Sequence, residues 1–130
     1  MAPAAAPSGT GPEGASPRKP LVYIAGPYTS NPVHNTRQAV LDGISIRDAY
    51  DVAVLIPHVT LAADLICPRS ADYWYDFDLD QVACCDAVIR LPGESTGADR
   101  EVAYAEERGI PVFDANVRGF GVWRWNEWTP

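Results

Sequence analysis

DAVIRLPGESTGADREVAYAEERGIPVF, residues 86–113, is the stretch whose reading decides the fold. It reads as an apolar strand over 87–91, a polar turn over 92–96, a helix over 97–108 and a short strand over 110–113. A strand, a helix and a strand at this spacing predict a βαβ unit in a parallel sheet. Such sheets take their ligands at the carboxyl ends of the strands, which is where the turn over 93–97 falls. Thr96 followed by Asp99 predicts a capping box at the helix start. That start offers free backbone N–H groups to an anion, with the Glu101 carboxylate close by. The same residues would equally serve an ordinary capped helix with a solvated glutamate.

Upstream, LVYIA at 21–25 is apolar throughout, as a central parallel strand should be, and Gly26, Pro27, Tyr28 and Thr29 break it at its carboxyl end. Asn31 as N-cap and Pro32 at the first helical position open a helix over 32–50. Val33, Val40, Leu41 and Ile44 fall on one side of it and are its expected core face. Gly43 inside that helix costs about 1 kcal/mol relative to alanine. A second strand over 52–56 stops at Pro57, and 58–70 is a connection with one helical turn. A helix over 71–85 follows, with Tyr75, Leu79 and Val82 toward the core. On a right-handed parallel sheet the strand ends at Gly26, Pro57 and Pro92 open on one rim. Residues 23–29, Asp78 and residues 95–101 converge there. The expected fold is α/β, a small Rossmann-like or flavodoxin-like three-layer domain with about four to five parallel strands.

Composition narrows the function. Residues 1–20 are almost wholly Ala, Pro, Gly and Ser, lack an apolar period and make a poor signal peptide, so they are expected to be a disordered tail before a domain over 21–130. The net charge of −7 argues against a nucleic-acid polymer as partner, though not against a single nucleotide. No apolar run reaches membrane-spanning length. Cys67, Cys84 and Cys85 form neither a disulfide ladder nor a CxxC pair, which points to a cytoplasmic chain with reduced thiols. Three of the four tryptophans (Trp123, Trp125 and Trp128) close the sequence. A small core with so aromatic an ending is expected to form a homo-oligomer, a dimer or larger.

Other chemistry-bearing residues have plain structural uses. Asp72, Asp76 and Asp80 share a helical face and read as solvated, and no metal or cofactor is expected. His58 reads as a hydrogen-bonded loop histidine and His34 as surface. Trp74 and Tyr75 would serve either base stacking or packing, and Cys84 and Cys85 read as small core residues.

YIAGPY at 23–28, Asp78 and Leu79 ahead of CDAVI, and STGADRE at 95–101 before A…GIPV together resemble the nucleoside 2-deoxyribosyltransferase superfamily, in a short branch. The resemblance spans nearly everything after residue 20. It implies cleavage of an N-glycosidic bond, with Glu101 as nucleophile, Asp78 contacting and helping to protonate the departing base, and Tyr23 holding the nucleophile. Gly26, Pro27, Tyr28, Ser95, Thr96 and Gly97 are then the substrate-binding positions. Ser95 stands where transferases carry an aspartate and nucleoside 5′-monophosphate hydrolases a phosphate-binding serine. Hydrolysis of a nucleotide is therefore favoured over transfer of deoxyribose between bases. Pro27 departs from a serine of some phosphate-binding relatives, and no arginine is clearly placed for phosphate among Arg37, Arg69 and Arg100. A phosphoribohydrolase loop is echoed by Pro92, Gly93, Thr96, Gly97 and Glu101 without its paired glycines, and a catalytically silent nucleotide sensor is the alternative outside enzymes. Near a helix N-terminus Glu101 is expected to stay ionised, whereas Asp78 needs burial or proximity to Glu101 to hold a proton.

Overall fold

The computed structural model describes residues 18–115. Four parallel strands form one sheet: β1 (Leu21–Ala25), β2 (Ala53–Leu55), β3 (Ala87–Arg90) and β4 (Val112–Asp114), in the order β2-β1-β3-β4. The connections are α1 (Pro32–Tyr50), the short α2 (Pro57–Thr60) and α3 (Ala63–Ile66), α4 (Ala71–Ala83) and α5 (Thr96–Glu107). The expected Rossmann-like α/β fold is what the chain adopts. Because the chain moves from β1 outward to β2 and then back across β1 to β3, the strand order reverses between β1 and β3. At such a reversal the loops leaving adjacent strands diverge and leave a crevice at the carboxyl ends.

Strand alternation divides the core in two. Val22, Ile24, Ala87 and Ile89 pack with Ala39, Ile46 and Val52 on the α1 side. Tyr23, Ala25 and Val88 pack with Val82, Cys85, Ala98 and Ala105 on the side of α4 and α5. Tyr23 lies beside Leu55 and Val88 in the sheet. Its ring is therefore set centrally, on the side from which Asp78 and Glu101 approach.

Three core expectations need correction. In α1 the buried residues are Ala39, Gly43 and Ile46, whereas Val33, Leu41 and Ile44 are 84%, 45% and 49% exposed. Close approach governs that face rather than side-chain size. A Cβ on Gly43 would stand 2.8 Å from Ile56 Cδ1, so the glycine lets the helix settle onto the sheet edge. In α4, Val82 is buried as expected but Tyr75 and Leu79 are only half-buried, and Asp78 takes the inner position. Cys85 is buried while Cys84, where the helix ends, is exposed. The connection over 58–70 contains α2 and α3, more helix than its sequence announces.

The domain also begins slightly earlier than residue 21. Arg18 forks onto Asp86 at 2.7 and 2.9 Å, Lys19 pairs with Asp51 at 2.8 Å, and Ala53 N donates to Pro20 O at 2.9 Å. Residues 1–17 and the Trp-rich ending lie outside the described residues. Among the described residues no helix is long and apolar enough to cross a membrane.

Candidate functional site

A cavity of about 550 Å³ opens at the strand-order reversal, a volume suited to a nucleoside-sized ligand. Gly26 and Tyr28 line it from the β1 turn, His58 and Leu61 from the α2 segment, Trp74, Tyr75 and Asp78 from α4, and residues 95–98 with Arg100 and Glu101 from α5.

The inner wall is a hydrogen-bonded acid. Tyr23 Oη donates to Glu101 Oε2 at 2.7 Å. Tyr23 is fully buried, and burial above all, with the Glu101 carboxylate next, holds its phenol far above the ordinary range. It therefore remains a donor at any working pH. Glu101 is 7% exposed. Burial raises its carboxyl from the ordinary 4.5 to about 7; the Tyr23 bond opposes that rise, Asp78 adds to it, and Arg90 opposes it. The expectation that Glu101 stays ionised near the helix start meets an opposing effect, since desolvation of this buried side chain favours its neutral form.

Asp78 is 9% exposed and its Oδ1 has no hydrogen-bond partner among the described residues. Burial raises it from 3.8 to about 7, so a substantial fraction stays protonated near neutral pH. Asp72, Asp76 and Asp80 on the same helix are exposed. Among the described residues no group of three or more His, Cys, Asp or Glu side chains is arranged to hold a metal ion.

The opening turn of α5 differs from expectation by one residue. Ser95, not Thr96, is the N-cap: its Oγ accepts from Ala98 N at 3.0 Å. The hydroxyl hydrogen remains available to a ligand, beside the amides of Thr96 and Gly97 at the first two helical positions. A Cβ on Gly97 would meet nothing within 4 Å, so the space on that side of its Cα is open. Of the candidate arginines, Arg100 lines the cavity and lies 3.6 Å over the Tyr75 ring; Arg37 and Arg69 are not in its lining.

Pro27 does not line the cavity. Its ring faces Gly93, where a Cβ would come within 2.9 Å and φ is +111°, and its carbonyl accepts from His58 Nε2 at 2.8 Å. A carbonyl can only accept, so the His58 proton sits on Nε2 and Nδ1 is left as an unpartnered acceptor. Burial lowers the His58 pKa, which keeps the ring neutral. The edge of Tyr28 faces that ring at 6.0 Å.

His58, read from the sequence as a hydrogen-bonded histidine, makes that bond to Pro27 O and also lines the cavity. Two groups escaped the sequence reading as site components. Asp64, which accepts from Trp74 Nε1 at 2.6 Å and from Arg69 N at 2.8 Å, orders the mouth without any motif to mark it. Arg90 closes an otherwise apolar strand, and that contrast was visible. Its guanidinium bonds Asp99 Oδ1 at 2.9 Å, Gly93 O at 2.9 Å and Leu91 O.

No curated protein matches the chain. Residues 20–114 match the family described as a domain of unknown function, DUF4406, over the strands, helices and pocket just described. That match spans most of the sequence, and the protein belongs to the DUF4406 family.

Proposed function

We propose that this protein cleaves the N-glycosidic bond of a nucleoside or, preferentially, a nucleoside 5′-monophosphate, with water as acceptor. The observation that carries the reading is the Tyr23–Glu101 bond of 2.7 Å opposite a buried, unpartnered Asp78 carboxyl in one cavity. Glycosyl transfer through a cationic sugar calls for one ionised carboxylate beneath the ring and one proton donor at the leaving group. With both acids near 7, the pair holds about one proton at neutral pH.

In the first step Glu101 Oε attacks the anomeric carbon, the C1′–N bond breaks, and its electron pair leaves with the base. The protonated Asp78 carboxyl gives the base its proton. Tyr23 holds the attacking carboxylate and yields part of its hydrogen bond as the negative charge passes into the ester. In the second step Asp78, now a carboxylate, takes a proton from water as the water oxygen displaces Glu101 from C1′. This releases the sugar, returning Glu101 as a carboxylate and Asp78 as the acid. Ser95 Oγ–H, the Thr96 and Gly97 amides and the Arg100 guanidinium are the donors available to a 5′-phosphate.

The test is incubation with matched nucleosides and 5′-monophosphates, with and without a second free base, followed by chromatography. Free base and reducing sugar are expected, faster from the monophosphate. Exchange of the base with little net hydrolysis would instead make the protein a deoxyribosyltransferase, and ligand binding without turnover would make it a nucleotide sensor. Pairing with a second copy and a cytoplasmic setting belong to the same reading. Val59 on α2 and Leu65 and Ile66 on α3 stand 53%, 86% and 88% exposed, and Leu65 lines the cavity, so light scattering at micromolar concentration should give at least a dimer.

A further inference from the structure

Among the described residues that line the cavity, Asp64, Asp78 and Glu101 carry carboxyl groups and Arg100 is the one cation. In a chain of net charge −7, a cation set among carboxyls would be expected to pair with one of them. Arg100 does not. Among the described residues its guanidinium makes no ion pair and no side-chain hydrogen bond. Asp64 is spent on Trp74 Nε1 and the Arg69 amide, Glu101 on Tyr23 Oη, and Asp78 is buried without a partner.

Arg100 lies instead on an aromatic ring. Its guanidinium carbon stands 3.6 Å from the centroid of Tyr75. That is van der Waals contact between carbons, and only a face-on guanidinium reaches it, because an edge-on one would drive a nitrogen into the ring. Stacking of this kind occupies one face of the group and leaves its N–H fork free. Arg69 over Tyr73 at 5.5 Å and Arg108 over Tyr104 at 4.1 Å are looser, and neither pair lines the cavity.

Helix geometry brings that fork beside the anion cradle. Tyr75 and Arg100 are each the fifth residue of their helices, α4 and α5, which both start at the carboxyl rim of the sheet and so meet at equal depth. Arg100 follows Gly97 by three residues and Thr96 by four, so the three share one strip of α5. A side chain there leaves the helix tilted toward its N-terminus, where the Thr96 and Gly97 amides lack intrahelical partners. A free arginine would lose rotamer freedom on gripping a phosphate, and the stack removes much of that loss beforehand.

We infer that Tyr75 is a positioning residue for Arg100: its ring holds the guanidinium flat so that the free N–H fork meets the 5′-phosphate of a bound nucleotide. The inference rests on the reading that the cavity takes a nucleotide, and not on the cleavage chemistry. Tyr75 thereby selects phosphorylated over unphosphorylated ligands without touching the phosphate.

The experiment is calorimetric titration of the full chain carrying Glu101→Gln, which spares the ligand, with nucleoside 5′-monophosphates of each common base and their parent nucleosides. In this background Arg100→Gln should weaken the monophosphate about tenfold or more, with a smaller loss on the nucleoside. Tyr75→Leu, which keeps apolar bulk and removes the π face, should weaken the monophosphate about fivefold, again with a smaller loss on the nucleoside. Tyr75→Phe keeps the face and should stay within about twofold of its parent. Added to Arg100→Gln, Tyr75→Leu should change nothing further. A second measurement needs no Tyr75 variant to fold. The Arg100 Nε–H proton signal, assigned by its loss in Arg100→Gln, should lie upfield and move on addition of monophosphate but not of nucleoside. Equal losses on both ligands, a Tyr75→Leu effect that persists without Arg100, or an Arg100 signal indifferent to monophosphate overturns the inference. Tight monophosphate binding with no cleavage by the unsubstituted protein would remove the proposed reaction and leave the inference standing. Cleavage without preference for the monophosphate would overturn the inference and leave the reaction standing.

Discussion

Replacing Glu101 by Gln removes a titrating group while conserving volume, and its stability effect can be worked from the structure. Burial raises this carboxyl from 4.5 to about 7. An acid whose folded value is raised contributes its stability fully below pH 4.5 and loses it as pH climbs through 7. Relative to acid solution, that shift costs the folded wild type about 1 kcal/mol at pH 5 and about 3 kcal/mol at pH 8. The glutamine keeps an acceptor for the Tyr23 hydroxyl but buries an amide N–H₂ beside Asp78, a loss of about 1 kcal/mol. The variant should therefore match wild type near pH 5 and exceed it by about 2 kcal/mol at pH 8, roughly 10 °C in Tm for a domain of this size. Thermal melts by circular dichroism at the two pH values measure the difference, with turnover lost at both. An equal change in Tm at pH 5 and pH 8 would refute the reasoning, because a buried ionising glutamate must give a pH-dependent gap.

Further outcomes follow from the same geometry. Ser95→Asp keeps an N-cap of equal quality but places a carboxylate in the anion cradle, so kcat/KM for a 5′-monophosphate should fall at least tenfold, about 1.4 kcal/mol. The parent nucleoside should lose less, and equal losses on both would show that Ser95 does not meet the phosphate. Tyr23→Phe removes the hydroxyl that donates to Glu101 Oε2; kcat/KM at pH 7 should drop by about 1.5–3 kcal/mol equivalent and partly recover at higher pH, which a pH–rate profile checks. Gly43→Ala should destabilise by about 1–3 kcal/mol in denaturant titration, since its Cβ would press on Ile56 at 2.8 Å. Deleting residues 1–17 should leave Tm within about 2 °C, whereas deleting through residue 20 also removes the Arg18–Asp86 fork and the Pro20 carbonyl that Ala53 uses, and should lower it further.

The fold was legible because its signals are local. Uniformly apolar runs at 21–25 and 87–89, punctuation by Gly and Pro, and the cap at Asn31 are each properties of a few adjacent residues, and together they leave a parallel α/β sheet; the cap of α5 was read one residue late. The candidate site was legible in part, since residues 23–29 and 95–101 adjoin the carboxyl ends of β1 and β3 and the helix carrying Asp78 converges on them, while the roles given to Tyr23 and Asp78 came from the family resemblance. The core face of α1 was not legible. Val33, Leu41 and Ile44 point outward, and beside Ile46 the buried face is marked by Ala39 and Gly43; the smallness of Gly43 has meaning only against Ile56.

What the sequence determined alone was the order of elements, the rim on which the strand ends meet, and the candidate carboxylates, for these depend on backbone conformation and chain connectivity. Only the tertiary structure decided their chemistry. Whether Glu101 is ionised depends on the balance among its burial, the Tyr23 hydroxyl 78 positions away and the Asp78 carboxyl. Whether Asp78 holds a proton depends on its being turned inward while Asp76 and Asp80 face water. Charge is a property of surroundings. A sequence names the acid, but solvent exclusion and fixed neighbours, which exist only after folding, decide where its proton resides.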